Sequence, residues 1–202
     1  MAILEHEIRS ANGAGLSGLH RHLFSRDDYY TMGDIGIFRD QRVEMIEGAI
    51  IEMAPASPPH AALTNPLAAL LESAFGIGFT IRTQVPMTLG DATNPSEPEP
   101  DVVVATGSWR EYLTWHPNQH DIQLIVEISD STLTYDRTIK ARLYSDAHIP
   151  EYWIVNLVDT QIEVYRQPTE TGYVEITAHR AGDSVEPLLT PGRSIAVDEI
   201  LP

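Results

Sequence analysis

Residues 97–105 are Glu-Pro-Glu-Pro-Asp-Val-Val-Val-Ala, so that a short acidic segment leads directly into an apolar one. The valine-rich part is typical of a buried β-strand. Asp101 stands where this strand begins, and an unpaired buried carboxylate is costly unless a partner balances its charge. Asp101 is therefore a candidate metal ligand at a strand end. The alternative is that it caps a turn, since Pro-Asp is common turn chemistry.

A second acid lies inside the most hydrophobic predicted strand, residues 122–128, Ile-Gln-Leu-Ile-Val-Glu-Ile. Ile122, Leu124 and Val126 should share one face of it. Glu127 comes late in this strand, where glutamate has poor β propensity and a high desolvation cost. The strand could instead end early and leave Glu127 at a solvated tip. On adjacent strands, Asp101 and Glu127 would form a divalent-cation site, since Mg²⁺ is typically held by one or two carboxylates with water and substrate phosphate.

The only lysine of the chain, Lys140, lies in a helix predicted over residues 135–147. Asp136 precedes it by one helical turn, which allows an ordinary ion pair between residues four apart. The alternative is that Lys140 reaches a metal-bound water or a scissile phosphate, a role that suits its point charge.

Glu44 is a further acid within a β-type segment, residues 42–48, and it could face solvent from a hairpin that is open on both sides. His60 begins the long predicted helix and either orients a ligand or simply occupies its first turn. The pairs His20/His22 and His116/His120 have metal-like spacings, which we interpret as adventitious because no thiolate assists them.

Helical and strand patterns alternate along the chain. A capping box at Ser25 predicts a helix to about residue 33, and apolar spacings of three and four predict another that ends at Phe75. Strands are predicted over residues 43–46, 49–53, 79–89, 101–105, 122–128, 151–155, 161–166, 173–177 and 194–197. The pattern predicts a mixed α/β or α+β fold. Residues 25–202 are expected to form a single domain, and residues 1–24 a flexible N-terminal arm.

Composition excludes several classes of function. The chain has 202 residues with 13 basic and 29 acidic side chains, giving a net charge of −16, so it is not a basic domain held to nucleic acid by overall charge. Cysteine is absent, which excludes disulfide scaffolds, thiolate metal sites and cysteine nucleophiles. No apolar segment is long enough to span a membrane, and the first residues lack a signal-peptide pattern, so we expect a cytoplasmic protein.

Six segments in order carry a family resemblance: residues 43–48 (Val-Glu-Met-Ile-Glu-Gly), 54–60 (Ala-Pro-Ala-Ser-Pro-Pro-His), 99–104 (Glu-Pro-Asp-Val-Val-Val), 125–129 (Ile-Val-Glu-Ile-Ser), 135–144 (Tyr-Asp-Arg-Thr-Ile-Lys-Ala-Arg-Leu-Tyr) and 149–155 (Ile-Pro-Glu-Tyr-Trp-Ile-Val). Together they resemble the PD-(D/E)xK nuclease superfamily. They are most similar to its Uma-type family of "putative restriction endonucleases", formerly a domain of unknown function. The resemblance spans roughly residues 26–200.

The resemblance implies a restriction-endonuclease-like core, with a central mixed β-sheet flanked by helices. It implies that Asp101 and Glu127 bind Mg²⁺ or Mn²⁺, with Glu44 as an additional acid. The superfamily usually places its lysine two residues after the glutamate, where this chain has Ser129, so Lys140 from the following helix would take that role. The implied activity is metal-dependent hydrolysis of DNA phosphodiesters, by a homodimer.

Two other functions remain open from the sequence. Net charge favours a non-catalytic regulatory or interaction protein built on a nuclease fold, because 13 basic residues supply a DNA-binding groove only if they cluster. A metal-dependent hydrolase of another phosphate ester is the third possibility. The set of Glu44, Asp101, Glu127 and Lys140 favours the nuclease.

Overall fold

The computed structural model of the protein describes residues 21–39 and 41–201. Its helices are α1 (Arg26–Asp34), α2 (Pro58–Phe75), α3 (Leu133–Tyr135), α4 (Ala141–Asp146) and α5 (Val197–Ile200), with a 3₁₀ turn at Glu111–Leu113 and a π-helical turn at Asp136–Lys140 that joins α3 to α4. Its strands are β1 (Val43–Ile46), β2 (Ala49–Glu52), β3 (Phe79–Arg82), β4 (Val102–Thr106), β5 (Ile122–Ser129), β6 (Glu151–Asn156), β7 (Gln161–Thr169), β8 (Gly172–His179), β9 (Ser184–Val185) and β10 (Ile195–Ala196).

Six strands form one sheet in the order β3-β4-β5-β6-β7-β8. The pair β5–β6 is parallel and its neighbours are antiparallel, so the sheet is mixed. A parallel pair needs a crossover connection, and here α3, the π-helical turn and α4 supply it. The predicted mixed α/β fold with a central sheet and flanking helices is confirmed.

Each face of the sheet has its own apolar core. Leu124, Val126 and Ile128 pack on the side of α2, together with Leu67 and Leu71 of that helix. Buried residues of the opposite face include Ile125, Leu143 and Tyr144, which places α4 on that side. Because side chains alternate along a strand, Glu127 belongs to the α4 face with Ile125. The crossover helix and Glu127 therefore meet on one side of the sheet.

The prediction of which side chains share one face of β5 is wrong for the first residue of the strand. Ile122 packs with the core on the α4 side, not with Leu124 and Val126. The pairing of β4 with β5 shifts register between Val104 and Ala105, opposite this end of β5. An irregularity of this kind changes which side chains share a face.

The predicted hairpin is confirmed, and a tight turn closes it. β1 and β2 pair antiparallel with Ile46 opposite Ala49. Both turn residues have positive φ, 49° at Glu47 and 73° at Gly48, as a two-residue type I′ turn requires. Backbone hydrogen bonds in both directions between Met45 and Glu97 attach β1 to the segment that precedes β4.

Two strands are shorter than predicted by more than one residue. β3 ends at Arg82 instead of continuing to Leu89, because the backbone turns at Gln84, which has a positive φ of 51°, and Pro86 follows. The predicted strand at residues 194–197 keeps only β10, because a short helix begins at Val197. The predicted arm, residues 1–24, lies outside the described residues except for its last four.

Of the predicted helices, α1 and α2 form with the expected signals, whereas the helix predicted over residues 135–147 is divided into α3, the π-helical turn and α4. Ser25 caps α1 in a complete capping box with Asp28. Ser57 accepts a hydrogen bond from the amide of His60 at the start of α2, and Gly76 ends that helix. In the part of the chain that the structure describes, no helix is both long and apolar enough to cross a lipid bilayer.

A buried polar cluster ties the crossover helix to β7. Glu163 accepts hydrogen bonds from Arg137, Asn156, Gln161 and Tyr165. Burial alone would raise the pKa of Glu163, but these hydrogen bonds outweigh it and lower the pKa to about 2. The charged form of Glu163 is therefore a stabilising feature of the fold.

We expect Glu163→Gln to lower the free energy of unfolding by about 1.5–3 kcal/mol at pH 7, the cost of losing hydrogen bonds to a charged group. The pKa of Glu163 is about 2 in the fold and roughly 4.3 in unfolded chains, so its contribution is complete above pH ~4.3 and is lost as the pH falls towards 2. Urea denaturation at pH 7 and pH 3 should show a smaller difference from wild type at pH 3. Glu170→Gln, at an exposed turn, is the control, and an equal loss in both variants would contradict the prediction.

Candidate active site

A cavity of about 310 Å³ opens where β1, β4, β5 and the crossover helix meet, and its lining includes Glu44, Asp101, Glu127 and Lys140. These are the four residues proposed from the sequence as a site. They come from four separate parts of the chain, and the fold brings them together on the α4 side of the sheet.

Asp101 lies directly before β4 and is buried. Its Oδ2 accepts a hydrogen bond of 2.8 Å from the amide of Ile128 on β5, and its Oδ1 accepts one of 3.1 Å from Gln84 Nε2. His60 Nε2 lies 2.7 Å from the same Oδ1. These partners are distant in the sequence, so Asp101 does not serve as a local turn cap.

Glu127 lies within β5, which continues to Ser129, and its exposed fraction is only 6%. The solvated-tip alternative is therefore wrong. Its Oε1 accepts hydrogen bonds from Lys140 Nζ at 3.0 Å and Tyr144 Oη at 2.7 Å, and its Oε2 accepts one from the amide of Asp101 at 3.3 Å. Burial raises the pKa of Glu127 to about 8, although the charge of Lys140 acts in the opposite direction.

Lys140 is buried between two carboxylates. Its Nζ donates to Glu44 Oε2 at 2.8 Å and to Glu127 Oε1 at 3.0 Å. The ordinary pairing expected with Asp136 does not form, because Asp136 accepts hydrogen bonds from Ser129 and Thr132 instead. Burial alone would lower the pKa of Lys140, but the charges of Glu127 and Glu44 outweigh it and raise the pKa well above its usual value. Lys140 is therefore a fixed cation.

Glu44 is buried on β1 and faces the cavity, not solvent. Besides Lys140, its carboxylate accepts hydrogen bonds from the amide of Glu99 at 3.2 Å and from Tyr135 Oη at 3.3 Å. The segment that runs beside β1 from Glu97 to Asp101 covers this side of the hairpin, which explains why the solvent-facing alternative is wrong.

Two tyrosines, Tyr135 and Tyr144, complete the site, and the sequence reasoning did not assign them. Tyr144 follows Lys140 by four residues, so helical spacing could have placed it on the same face. Tyr135 contacts Glu44, and no sequence pattern links them. His60, one of whose predicted roles was to orient a ligand, contacts Asp101, and so does Gln84.

The two arginines that flank Lys140 point to acidic partners. Arg137 pairs with Asp159 and Glu163, and Arg142 pairs with Glu47 and Asp146. These ion pairs partly neutralise the positive charge of the two arginines beside Lys140.

The donors that line the cavity suit a hard divalent cation, since Glu44, Asp101 and Glu127 all offer carboxylate oxygens. His60 Nε2 is also buried there and has no hydrogen bond of accepted geometry. Within residues 21–39 and 41–201, however, no group of three or more histidine, aspartate or glutamate side chains is arranged to hold a metal ion. Lys140 occupies one carboxylate oxygen of Glu44 and one of Glu127. The metal site formed by the three carboxylates therefore stays a prediction.

The mixed sheet with its crossover helix defines a nuclease-like fold. A solved structure from Anabaena variabilis, described as a "putative nuclease belonging to DUF820", matches it with a TM-score of 0.62 at 14% sequence identity, over 88% of this chain and 97% of that one. The family model of Uma2, described as "Putative restriction endonuclease", matches residues 26–198. The chain belongs to the Uma2 family, as its sequence segments predicted. No curated protein matches the sequence.

Removal of the buried lysine tests the charge balance of the site. We expect Lys140→Met to lower the free energy of unfolding by about 3–5 kcal/mol, because it leaves buried carboxylates without a cation. Without Lys140, the pKa of Glu127 rises further above its unfolded value, so the loss should be larger at pH 8 than at pH 5. Urea midpoints at both pH values measure it.

The control for that experiment is Arg142→Met on the same helical segment. Its ion pairs are about half exposed, and we expect a change of no more than about 1 kcal/mol. A loss for Lys140→Met that is small, or independent of pH, would contradict the buried charge cluster.

Proposed function

We propose that this protein is a metal-dependent endonuclease that hydrolyses phosphodiester bonds of DNA at the cavity of Glu44, Asp101, Glu127 and Lys140. The observation that carries the proposal is the position of the sole lysine: it is buried, it contacts two acids, and it lines the same cavity as Asp101. A buried ion pair is a weak source of stability, so stability alone gives little reason for this arrangement. Membership of the Uma2 family supports a nuclease.

Asp101 and Glu127 would hold Mg²⁺ or Mn²⁺, with Glu44 as the additional acid. A bound divalent cation supplies a nucleophile by lowering the pKa of a water ligand, and it neutralises charge on the phosphate. The fit is one of donor chemistry, since these acids offer oxygen ligands in a cavity that water and a phosphate can enter.

The side chains of the protein have distinct tasks in this proposal. Lys140 has a raised pKa, so it keeps its proton at Nζ and acts as a positive charge towards phosphate oxygens, not as a base. Tyr135 and Tyr144 donate hydrogen bonds to Glu44 and Glu127 and so fix the two acids that hold Lys140. The amide of Ile128 fixes the orientation of Asp101.

We further propose a homodimer in the cytoplasm. One site hydrolyses one phosphodiester, so two copies would be needed to cut both strands of a duplex in one binding event. Sedimentation with and without a DNA duplex measures the state of assembly.

A non-catalytic protein on the same fold is the second candidate. Two observations favour it: the net charge is −16, and the arginines beside Lys140 are engaged by acids. Such a protein would bind a partner and cut nothing, and the same experiment separates the two candidates.

The test is cleavage of supercoiled plasmid and single-stranded DNA in Mg²⁺ or Mn²⁺. We expect metal-dependent nicking by wild type and a loss of at least roughly 100-fold in Asp101→Asn and in Lys140→Ala, because each removes a charge from the reacting site. Glu170→Gln, an exposed residue outside the cavity, should cut like wild type. RNA of the same sequence is the comparison substrate.

If no DNA is cleaved, calorimetry with Mn²⁺ distinguishes a wrong substrate from an absent metal site. If wild type binds Mn²⁺, Asp101→Asn does not, and neither cuts DNA, then the metal site stands and the DNA substrate is wrong. If wild type neither binds metal nor cuts any nucleic acid, the non-catalytic candidate replaces the nuclease.

A further inference from the structure

The carboxylate oxygens that line the cavity differ in their hydrogen-bond and ion-pair partners. Lys140 holds Glu44 and Glu127, and Asp101 Oδ2 accepts the amide hydrogen of Ile128. Asp101 Oδ1 differs, because it faces two side chains, His60 and Gln84, and no backbone donor. A cation could therefore bind Asp101 Oδ1 without displacing Lys140.

His60 Nε2 is an unexplained buried atom at that position. It lies 2.7 Å from Asp101 Oδ1, yet the contact lacks hydrogen-bond geometry and Nε2 makes no other hydrogen bond. Among the described residues, only two other buried side-chain atoms share this condition, Arg82 Nε and Thr190 Oγ1, and neither residue lines the cavity of Asp101. A buried polar atom without a hydrogen bond of good geometry needs an explanation, and an ion bound at this position is one.

The distance suits two ligands of one cation. Two donors in neighbouring positions of an octahedral ion, each about 2.1 Å from it, lie about 3.0 Å apart. The observed 2.7 Å between His60 Nε2 and Asp101 Oδ1 is close to that separation. Water and a substrate phosphate would fill the other positions, as is usual for ions bound by few protein ligands.

The backbone of His60 is held by the start of α2. His60 is the third residue of α2, after Pro58 and Pro59, whose rings fix φ at the start of the helix. Its amide donates to the capping Ser57, and its carbonyl accepts from Thr64 Oγ1. The position of the His60 backbone is therefore set by the first turn of α2.

We propose that His60 Nε2 is a ligand of the cation at this site, beside Asp101, and that it shifts the metal preference from Mg²⁺ towards Mn²⁺ and Co²⁺. This inference rests on the proposed function and adds a nitrogen ligand to its carboxylates. Imidazole suits transition metals, whereas Mg²⁺ prefers oxygen donors. The metal preference would then depend on His60 of α2 as well as on the carboxylates of the strands.

The experiment is calorimetric titration of the whole protein with Co²⁺, Mn²⁺ or Mg²⁺ alone. We expect wild type to bind Co²⁺ more tightly than Mg²⁺, and His60→Gln to lose roughly 10-fold or more in Co²⁺ affinity with a smaller change for Mg²⁺. His116→Gln is the matched control, since His116 is also partly buried and beside a charged side chain, Arg82, but lines a different cavity. Thermal unfolding without metal checks that each variant is folded.

A spectroscopic signature identifies the ligand directly. Pulsed electron paramagnetic resonance of bound Mn²⁺ should show coupling to an imidazole nitrogen in wild type and in His116→Gln, and none in His60→Gln. Unchanged Co²⁺ affinity in His60→Gln, or a nitrogen coupling that persists there, would overturn the inference.

The outcomes also distinguish this inference from the nuclease itself. Metal binding and DNA cleavage that are lost in Asp101→Asn but unchanged in His60→Gln would leave the nuclease intact and remove His60 from the metal site. Absence of cation binding in wild type would overturn both proposals.

Discussion

The burial of Lys140 between Glu44 and Glu127 sets the main constraint on this structure. A charged lysine side chain is costly to bury unless acids compensate its charge, and the compensating acids come from β1 and β5. The hairpin, the sheet and the crossover helix must therefore all be in place before the charge is balanced. Tyr135 and Tyr144 add hydrogen bonds to the same two acids, so the helical segment is tied to both partners.

Local patterns predicted most of the fold. The capping box at Ser25 and the apolar spacing of α2 depend on neighbouring residues, and both helices form as expected. The extent of β3 was not predictable in the same way, because it ends where Gln84 takes a positive φ to reach Asp101. The boundary coincides with this tertiary contact and with Pro86, and strand propensity alone does not predict it.

The candidate site was predictable in its charged members and not in its neutral ones. Acids in apolar strands and a sole lysine stand out in a sequence, since each is costly to bury. The pairing of Lys140 with Glu44, 96 residues away, depends on the fold. Tyr135 and Tyr144 have no such signal, because tyrosine is ordinary in a half-buried helix. The acids also explain how a chain of net charge −16 can carry a cationic group at its centre.

The π-helical turn makes the number of residues in this segment important for the structure. Such a turn holds one more residue than an α-helical turn, and one residue of α-helix corresponds to a rotation of about 100°. The extra residue between Asp136 and Ala141 thus sets the rotational phase of α4, and with it the direction of Leu143 and Tyr144 towards the sheet. A deletion of one residue here, even one that preserved every side chain named in the site, would turn α4 by roughly a quarter of a circle and take Tyr144 away from Glu127. Spacing, as much as residue identity, is therefore what relatives of this chain would need to keep.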